Sequence, residues 1–199
     1  MADSVGFLFF GDWGFRGEDQ ERVAAEMGRY AADPSHDVEF VLALGDNFYR
    51  NEAFGTHDGV LDEFDSQWEE VFRRVYRAEA LQVPWFAVLG NHDYHGNPEA
   101  QIEYSRRGRD RRWVMPDHCF SQRWFLDGRR DPLLEIVFVD TTVLSPNVIA
   151  DTSKGGKYEV SKEMVRGMLG SIEKMLRQSS ASWLFVCGHY TSTMAMRFS

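Results

Sequence analysis

Four short stretches of the sequence combine a glycine with side chains that can bind a cation. They read GDWG at 11–14, GDNFY at 45–49, GNHD at 90–93 and GHY at 188–190, and each follows a short apolar run. Carboxylate, amide and imidazole groups are ligands of divalent and trivalent cations. One carboxylate can bridge two ions, as in sites that hydrolyse phosphate esters. The absence of cysteine from these stretches argues against a structural zinc site.

The apolar runs have the length and composition of buried β-strands. They predict strands over Gly6–Phe10, Glu39–Leu44, Trp85–Leu89, Leu133–Val139 and Trp183–Cys187. Ligands of open α/β sheets bind beyond the carboxyl ends of the strands, so we expect the polar residues at four of these ends to converge. The converging residues are Asp12, Asp46, Asn91 and His189.

Helical periodicity lies between several of these strands. It predicts helices over Asp19–Ala32, Leu61–Ala80 and Ser161–Gln178, the last with Ser161 as N-cap. The core-facing stripe of the first helix consists of Val23, Met27 and Tyr30. That of the second helix consists of Leu61, Phe64, Trp68, Val71, Phe72 and Val75.

The alternation of strands and helices predicts an α/β fold with parallel strand pairing. The runs Cys119–Phe125 and Leu133–Val139 are separated by a polar loop that contains a glycine, and they predict an antiparallel hairpin instead. We therefore expect mixed strand pairing in one domain.

Composition excludes several classes of function. The 199-residue chain has a formal net charge of −9, so we expect no nucleic-acid-binding surface. The N-terminal apolar run is too short for a signal peptide or a membrane span, which predicts a cytoplasmic protein, or a secreted or lysosomal one if the start is mis-assigned. Cys119 and Cys187 are expected to be reduced thiols, and no oligomeric state is predicted.

Together the four stretches resemble the metal-binding signature of the calcineurin-like metallophosphoesterases, and more narrowly the small, mammalian-type (tartrate-resistant) purple acid phosphatases. Most metallophosphoesterases open with Asp-x-His, whereas this chain has Asp12-Trp13-Gly14. The purple acid phosphatases make that change and recruit a tyrosine, here Tyr49, three residues after Asp46. The resemblance covers nearly all of residues 5–190 and implies an αββα two-sheet sandwich, incomplete at the C-terminus.

The resemblance implies a dinuclear metal site with Fe(III) and a divalent Fe, Zn or Mn ion. Asp12 and Tyr49 would bind Fe(III), Asp46 would bridge the ions, and Asn91 and His189 would bind the divalent ion. The implied reaction is acid phosphatase-type hydrolysis of phosphate monoesters, small molecules or proteins, by in-line attack without a phosphoenzyme.

The same resemblance implies roles near the phosphate for three other residues. His92 would be the catalytic residue that stabilises the transition state or protonates the leaving oxygen. Asn47 would lie near the phosphate or behind the metal ligands, and His95 lies near enough to Asn91 in sequence to contact substrate.

The resemblance ends after Tyr190, where the family pattern expects a proline, a further histidine and then a Gly-His-x-His motif. We therefore expect a truncated phosphoesterase domain over 1–190 and a non-matching tail over 191–199. One alternative is a catalytically impaired metal-binding or regulatory module. Another is a different metallophosphoesterase, a phosphodiesterase or protein phosphatase, against which Tyr49 argues.

Overall fold

The computed structural model describes residues 4–145 and 160–190, and the predicted tail over 191–199 lies outside them. The described strands form two sheets. The first sheet contains, in spatial order, β1 (Gly6–Phe10), β2 (Val38–Leu44), β3 (Trp85–Val88) and β4 (Trp113–Val114). All of its pairings are parallel, as predicted.

The second sheet consists of β5 (Cys119–Trp124), β6 (Leu134–Val139) and β7 (Trp183–Cys187). Strands β5 and β6 form the predicted antiparallel hairpin, and β7 pairs with β6 in parallel. The predicted mixed pairing is thus confirmed. The antiparallel pair lies in the second sheet, and the first sheet is purely parallel. Cys119 and Cys187 are free thiols, as expected.

The two sheets pack face to face, and the alternation along each strand divides the core into two layers. Phe40 of β2 and Phe138 of β6 lie in the apolar cluster between the sheets. Their neighbours Val41 and Val137 point the other way, into the cluster that packs under the helices. This is the αββα sandwich expected from the resemblance.

Within residues 4–145 and 160–190, four α-helices and several shorter helical turns connect the strands. The α-helices are α1 (Glu18–Ala31), α2 (Pro98–Arg106), α3 (Thr141–Leu144) and α4 (Lys162–Gln178). Ser161 caps α4 as predicted, because its Oγ accepts the N–H of Met164 at 3.0 Å. Among the helices that the structure describes, none is both long and apolar enough to cross a membrane.

Helix α1 has the predicted extent to within one residue, but of the predicted core-facing stripe only Met27 packs against the core. Val23 and Tyr30 are 48 % and 46 % exposed, whereas Gln20, Ala24 and Gly28 are buried. Small side chains let the helix approach the neighbouring segment closely, and the Gln20 amide donates to backbone carbonyls beneath it. Close packing of small residues therefore overrides the apolar pattern.

The predicted second helix is also wrong over most of its length, since only a π-helix over Trp68–Arg73 forms. Leu61 and Phe64, expected in the core, are 60 % and 69 % exposed. The Asp65 carboxylate accepts the N–H of Leu61, and the Asp62 carboxylate accepts the N–H of Phe64. Such local side-chain bonds to the backbone compete with helix formation.

Candidate metal centre

The five predicted ligands lie in contact at the carboxyl edge of the first sheet. The Tyr49 hydroxyl lies 3.0 Å from Oδ1 of Asp12 and 2.5 Å from Oδ2 of Asp46. Nε2 of His189 lies 3.5 Å from Oδ1 of Asp46 and 3.2 Å from Oδ1 of Asn91. We call these five residues the ligand cluster.

Neighbouring parallel strands deliver the two carboxylates of the ligand cluster. Asp12 and Asp46 follow β1 and β2, which pair in register, and the N–H of Asp12 donates to the carbonyl of Gly45 at 3.1 Å. Both aspartates have positive φ values, 56° and 52°. Residues outside glycine rarely adopt this conformation, and it is found repeatedly at functional sites.

Gly14 allows the segment that carries Tyr49 to lie against the first stretch. A Cβ atom at position 14 would lie 2.0 Å from the carbonyl oxygen of Asn47. The N–H of Tyr49 donates to the Gly14 carbonyl at 3.1 Å, and the N–H of Gly14 donates to the Asp46 carbonyl at 3.3 Å. No side chain fits at position 14 with this backbone. Because Gly14 has none, the segment that carries Tyr49 can lie close enough for its hydroxyl to reach the cluster.

The stretch after β3 holds the Asp46 carboxylate from the other side. A Cβ atom on Gly90 would lie 2.2 Å from Oδ1 of Asp46, and the N–H of His92 donates to that oxygen at 2.9 Å. Asp93 accepts the N–H groups of Gly90 and Asn47. Burial raises the pKa of the Asp93 carboxyl to about 7, although the Gly90 N–H bond favours its charged form.

Asn47 is fully buried and joins three segments. Its Nδ2 donates to the carbonyl of Val88 at 2.8 Å and to Oε1 of Gln101 at 3.0 Å, and its Oδ1 accepts the indole N–H of Trp13. These bonds place its side chain in the layer that supports the cluster. Its predicted role toward the phosphate stays a prediction.

The phenol of Tyr49 illustrates why the cluster suits cations. Burial, followed by the hydrogen bonds and charges of Asp46 and then Asp12, raises the pKa of this phenol. The Tyr49 hydroxyl has one proton but lies within hydrogen-bond distance of two carboxylate oxygens, so it can donate fully to only one of them at a time. A cation in the cluster would neutralise both carboxylates and favour the phenolate as a ligand.

The His189 ring is oriented so that a ring nitrogen faces oxygen acceptors. Its Nδ1 lies 2.9 Å from the carbonyl oxygen of Leu44, which can only accept, so Nδ1 carries a proton. In the neutral ring Nε2 then presents a lone pair toward the oxygens of Asp46 and Asn91. Acceptors that converge without a hydrogen between them fit a metal ion, and a carbonyl bond at Nδ1 is the usual partner of a metal-binding histidine.

His92 lies beside the ligand cluster, as the predicted catalytic role requires. Its ring centroid is 4.4 Å from that of Tyr49, and its Nδ1 lies 2.9 Å from Oδ1 of Asp58. His95 contacts the same carboxylate, with its Nδ1 3.5 Å from Oδ2. Sequence reasoning missed Asp58, because it lies in a polar loop with no pattern around it and meets His92 only through the fold.

Tyr190 lies in the Gly-His-Tyr stretch and has a role that the sequence did not predict. Its hydroxyl donates to Oδ1 of Asn91 at 2.7 Å, and its N–H donates to Oγ1 of Thr141 at 2.8 Å. The Asn91 amide oxygen, a predicted ligand atom, is thereby oriented by a residue from the second sheet. The sequence did contain a signal for this role, because a phenol that directly follows the predicted ligand His189 can form a hydrogen bond with another ligand.

Comparison with known proteins identifies relatives of the whole described fold. A profile of the calcineurin-like phosphoesterase family matches residues 6–198. Purple acid phosphatase 17 of Arabidopsis thaliana is 36 % identical over 193 residues, which cover 94 % of this chain and 52 % of that protein. Tartrate-resistant acid phosphatase type 5 of Rattus norvegicus is 31 % identical over 195 residues, which cover 95 % of this chain and 56 % of that protein.

A solved structure shares the fold at lower sequence identity. GAP50, the anchor in the inner membrane complex of Plasmodium, superposes with a TM-score of 0.69 and 24 % identity over 90 % of this chain and 53 % of that chain. The likeness to this structure concerns the fold alone. The chain spans about half the length of the curated relatives it matches.

Proposed function

The chain belongs to the calcineurin-like phosphoesterase family, and from that premise we propose that it is an acid phosphatase-type hydrolase of phosphate monoesters. The observation that carries the proposal is the contact of the Tyr49 hydroxyl with both Asp12 and Asp46. In the resemblance described above, this tyrosine separates the purple acid phosphatases from other metallophosphoesterases. Purple acid phosphatases among the relatives support the same choice.

The proposed cofactors are an Fe(III) ion and a divalent Fe, Zn or Mn ion. Asp12 and Tyr49 would hold Fe(III), Asp46 would contact both ions, and Asn91 and His189 would hold the divalent ion. Bound metal ions at such sites neutralise the phosphate and make water a nucleophile near neutral pH. The support is the donor set, oxygens and one imidazole nitrogen, and its convergence at one sheet edge.

His92 would donate a hydrogen bond or a proton to the phosphate or to the leaving oxygen. Two contacts hold it for this role: its N–H donates to Asp46, and its Nδ1 lies against Asp58. Its ring packs near that of Tyr49, which places the imidazole at the rim of the ligand cluster.

The test is hydrolysis of p-nitrophenyl phosphate by the full chain loaded with iron and zinc. Asp46→Ala should lower kcat/KM by more than roughly 100-fold, because losing even a partner of a metal ligand costs about 10–100-fold. Asp37→Ala is the matched control, since Asp37 is another aspartate with positive φ, 45°, outside the cluster. It should keep wild-type activity.

Parallel assays with bis(p-nitrophenyl) phosphate decide between the alternatives. Faster hydrolysis of this diester than of the monoester would replace the proposal with a phosphodiesterase. Binding of metal by the wild-type chain without hydrolysis of either ester would replace it with an impaired metal-binding module.

A further inference from the structure

Two histidines beside the ligand cluster lie on the same side of one helical turn. His92 immediately precedes the 3-10 helix Asp93–His95, and the N–H of His95 donates to the carbonyl of His92 at 3.1 Å. Side chains three residues apart eclipse on a 3-10 turn. The two rings accordingly lie together, with centroids 5.3 Å apart.

A carboxylate from a different loop faces both rings. Oδ1 of Asp58 lies 2.9 Å from Nδ1 of His92, and Oδ2 lies 3.5 Å from Nδ1 of His95. The N–H of Arg50 donates to Oδ1 of Asp58 at 2.9 Å and fixes the carboxylate. Burial raises the pKa of the Asp58 carboxyl, but the Arg50 N–H and the two rings outweigh burial and lower the pKa below its usual value, so the carboxylate is charged.

We propose that Asp58, His92 and His95 bind a Zn²⁺ ion at a site distinct from the ligand cluster. Among the described residues, two groups of histidine and acidic side chains have ligand atoms close enough to hold one ion, and these three residues form one of them. Their ligand atoms all lie within 4.8 Å of one another. No residue of this group belongs to the other one, which consists of Asp12, Asp46 and His189.

The donors match the preferences of zinc. Zn²⁺ binds imidazole nitrogen and carboxylate oxygen with bonds of about 2.0–2.2 Å, and a tetrahedron of such bonds separates the ligand atoms by about 3.4 Å. Oδ1 of Asp58 lies 2.9 Å from Nδ1 of His92 and Oδ2 lies 3.5 Å from Nδ1 of His95, and one ligand atom from each residue lies within 4.8 Å of the other two, so the three groups must move closer together around an ion. The side chains of Asp58, His92 and His95 are 25 %, 33 % and 43 % exposed, so an ion can enter from solvent and keep a water as fourth ligand.

Zinc binding changes the state of His92. The ion takes the place of the proton between Nδ1 of His92 and Asp58, and that proton passes to solvent. Asp58 then binds the ion instead of orienting the ring directly.

Equilibrium dialysis against Zn²⁺ tests the site without any activity measurement. Asp12→Ala removes a carboxylate of the ligand cluster that contacts Tyr49, and it leaves the Asp46 carboxylate that holds His92, so it serves as the background. Adding His95→Gln to this background should lower the Zn²⁺ content by one ion per chain. Adding His36→Gln should leave it unchanged, because His36 stacks on Tyr30 away from both groups.

Equal Zn²⁺ content in Asp12→Ala with and without His95→Gln would overturn the proposal, and would mean that Asp58 only orients His92. Asp58→Asn in the same background provides a second check, because it must remove the same ion. Circular dichroism spectra ensure that the variants compared are folded. Failure of the proposed phosphatase activity is a separate outcome, since the dialysis reads zinc content alone.

Discussion

The Tyr49 hydroxyl lies between the carboxylates of Asp12 and Asp46, and these two neighbours control whether the phenol keeps its proton. With no cation present the phenol keeps its proton, because burial and the negative charges of Asp46 and Asp12 raise its pKa. A trivalent ion would reverse that balance and favour the phenolate. The resemblance implies a ligand tyrosine three residues after Asp46, whereas the contact of Tyr49 with Asp12 requires the close approach at Gly14.

Replacing Tyr49 should abolish the colour expected of the Fe(III)-loaded chain. In the family that the chain resembles, the colour comes from a tyrosinate bound to ferric iron. Tyr49→Phe removes the ligand oxygen, so the visible absorption band should disappear while the fold is retained. Tyr30→Phe, at the surface of α1, is the control and should keep the band. Visible spectra with metal analysis decide, and a band that survives in Tyr49→Phe contradicts the assignment.

His118 is a residue whose ionisation should be visible in the stability of the protein. Its side chain is 10 % exposed, its Nδ1 lies 2.8 Å from Oδ2 of Asp140, and its Nε2 lies 2.8 Å from Oε1 of Glu99. Burial lowers the pKa of this imidazole, but the two carboxylates outweigh it and raise the pKa to about 9. The neighbouring Cys119 thiol does not titrate in this range, because burial raises its pKa to about 12.

The His118 interaction should stabilise the fold fully below about pH 6.5, the usual pKa of histidine, and weaken as the pH rises through about 9. The sign follows from a folded pKa above the unfolded one. His118→Gln should therefore lower the free energy of unfolding most at pH 6, on the order of 3 kcal/mol, since one pKa unit is worth about 1.4 kcal/mol. Urea unfolding of both proteins between pH 6 and 9.5 measures the difference, and a difference independent of pH would contradict it.

At the scale of elements, the sequence predicts strands better than it predicts helix faces. The five strand runs are short and apolar, four of them are followed by a glycine, and their observed ends agree with the predicted ones to within one residue. Helix α4 buries Met168 and Ile172 as its periodicity requires. Helix α1 instead buries small residues, because the distance to its neighbour, and not hydrophobicity, selects its inner face. That distance depends on how the whole molecule packs, so the apolar pattern of one helix cannot predict it.

Two adjacent alanines of α1 test which face is buried. Ala24 is 3 % exposed and packs in the core, whereas Ala25 is exposed. Ala24→Leu should lower the free energy of unfolding by about 1–3 kcal/mol, because extra methyl groups do not fit a close-packed contact. Ala25→Leu, the same substitution one residue later, should change it by less than about 0.5 kcal/mol. Equal effects in urea unfolding would show that the helix does not pack through its small residues.

At the scale of the whole molecule, the ligand cluster belongs to both sheets. Asp12, Asp46 and Asn91 follow strands of the first sheet, whereas His189 and Tyr190 follow β7 of the second. The strand pattern predicted that the polar residues converge at one edge of the sheet, and the resemblance implied that they hold a dinuclear metal site. The supporting contacts, such as that of Asp58 with His92, join loops distant in sequence and emerge only when the sandwich is assembled.

This division predicts that the packing between the sheets controls metal binding. Phe138 is fully buried between them, stacked 4.5 Å from Phe120 and 5.5 Å from Phe86. Phe138→Ala should cost about 3–5 kcal/mol of stability and should also weaken metal binding, because the second sheet then holds His189 less firmly against Asp46. Metal affinity, measured where the variant remains folded, is the readout.

Phe72 provides the control that separates packing between the sheets from stability in general. It is equally buried, but its aromatic neighbours Trp13, Trp85 and Trp113 lie in the cluster under the helices. Phe72→Ala should therefore cost a similar free energy of unfolding with a smaller loss of metal affinity. If the two variants lose affinity equally, metal binding depends on overall stability. If Phe138→Ala loses more metal affinity than Phe72→Ala, the packing between the two sheets holds the ligands together. The sheet interface is then part of the metal centre.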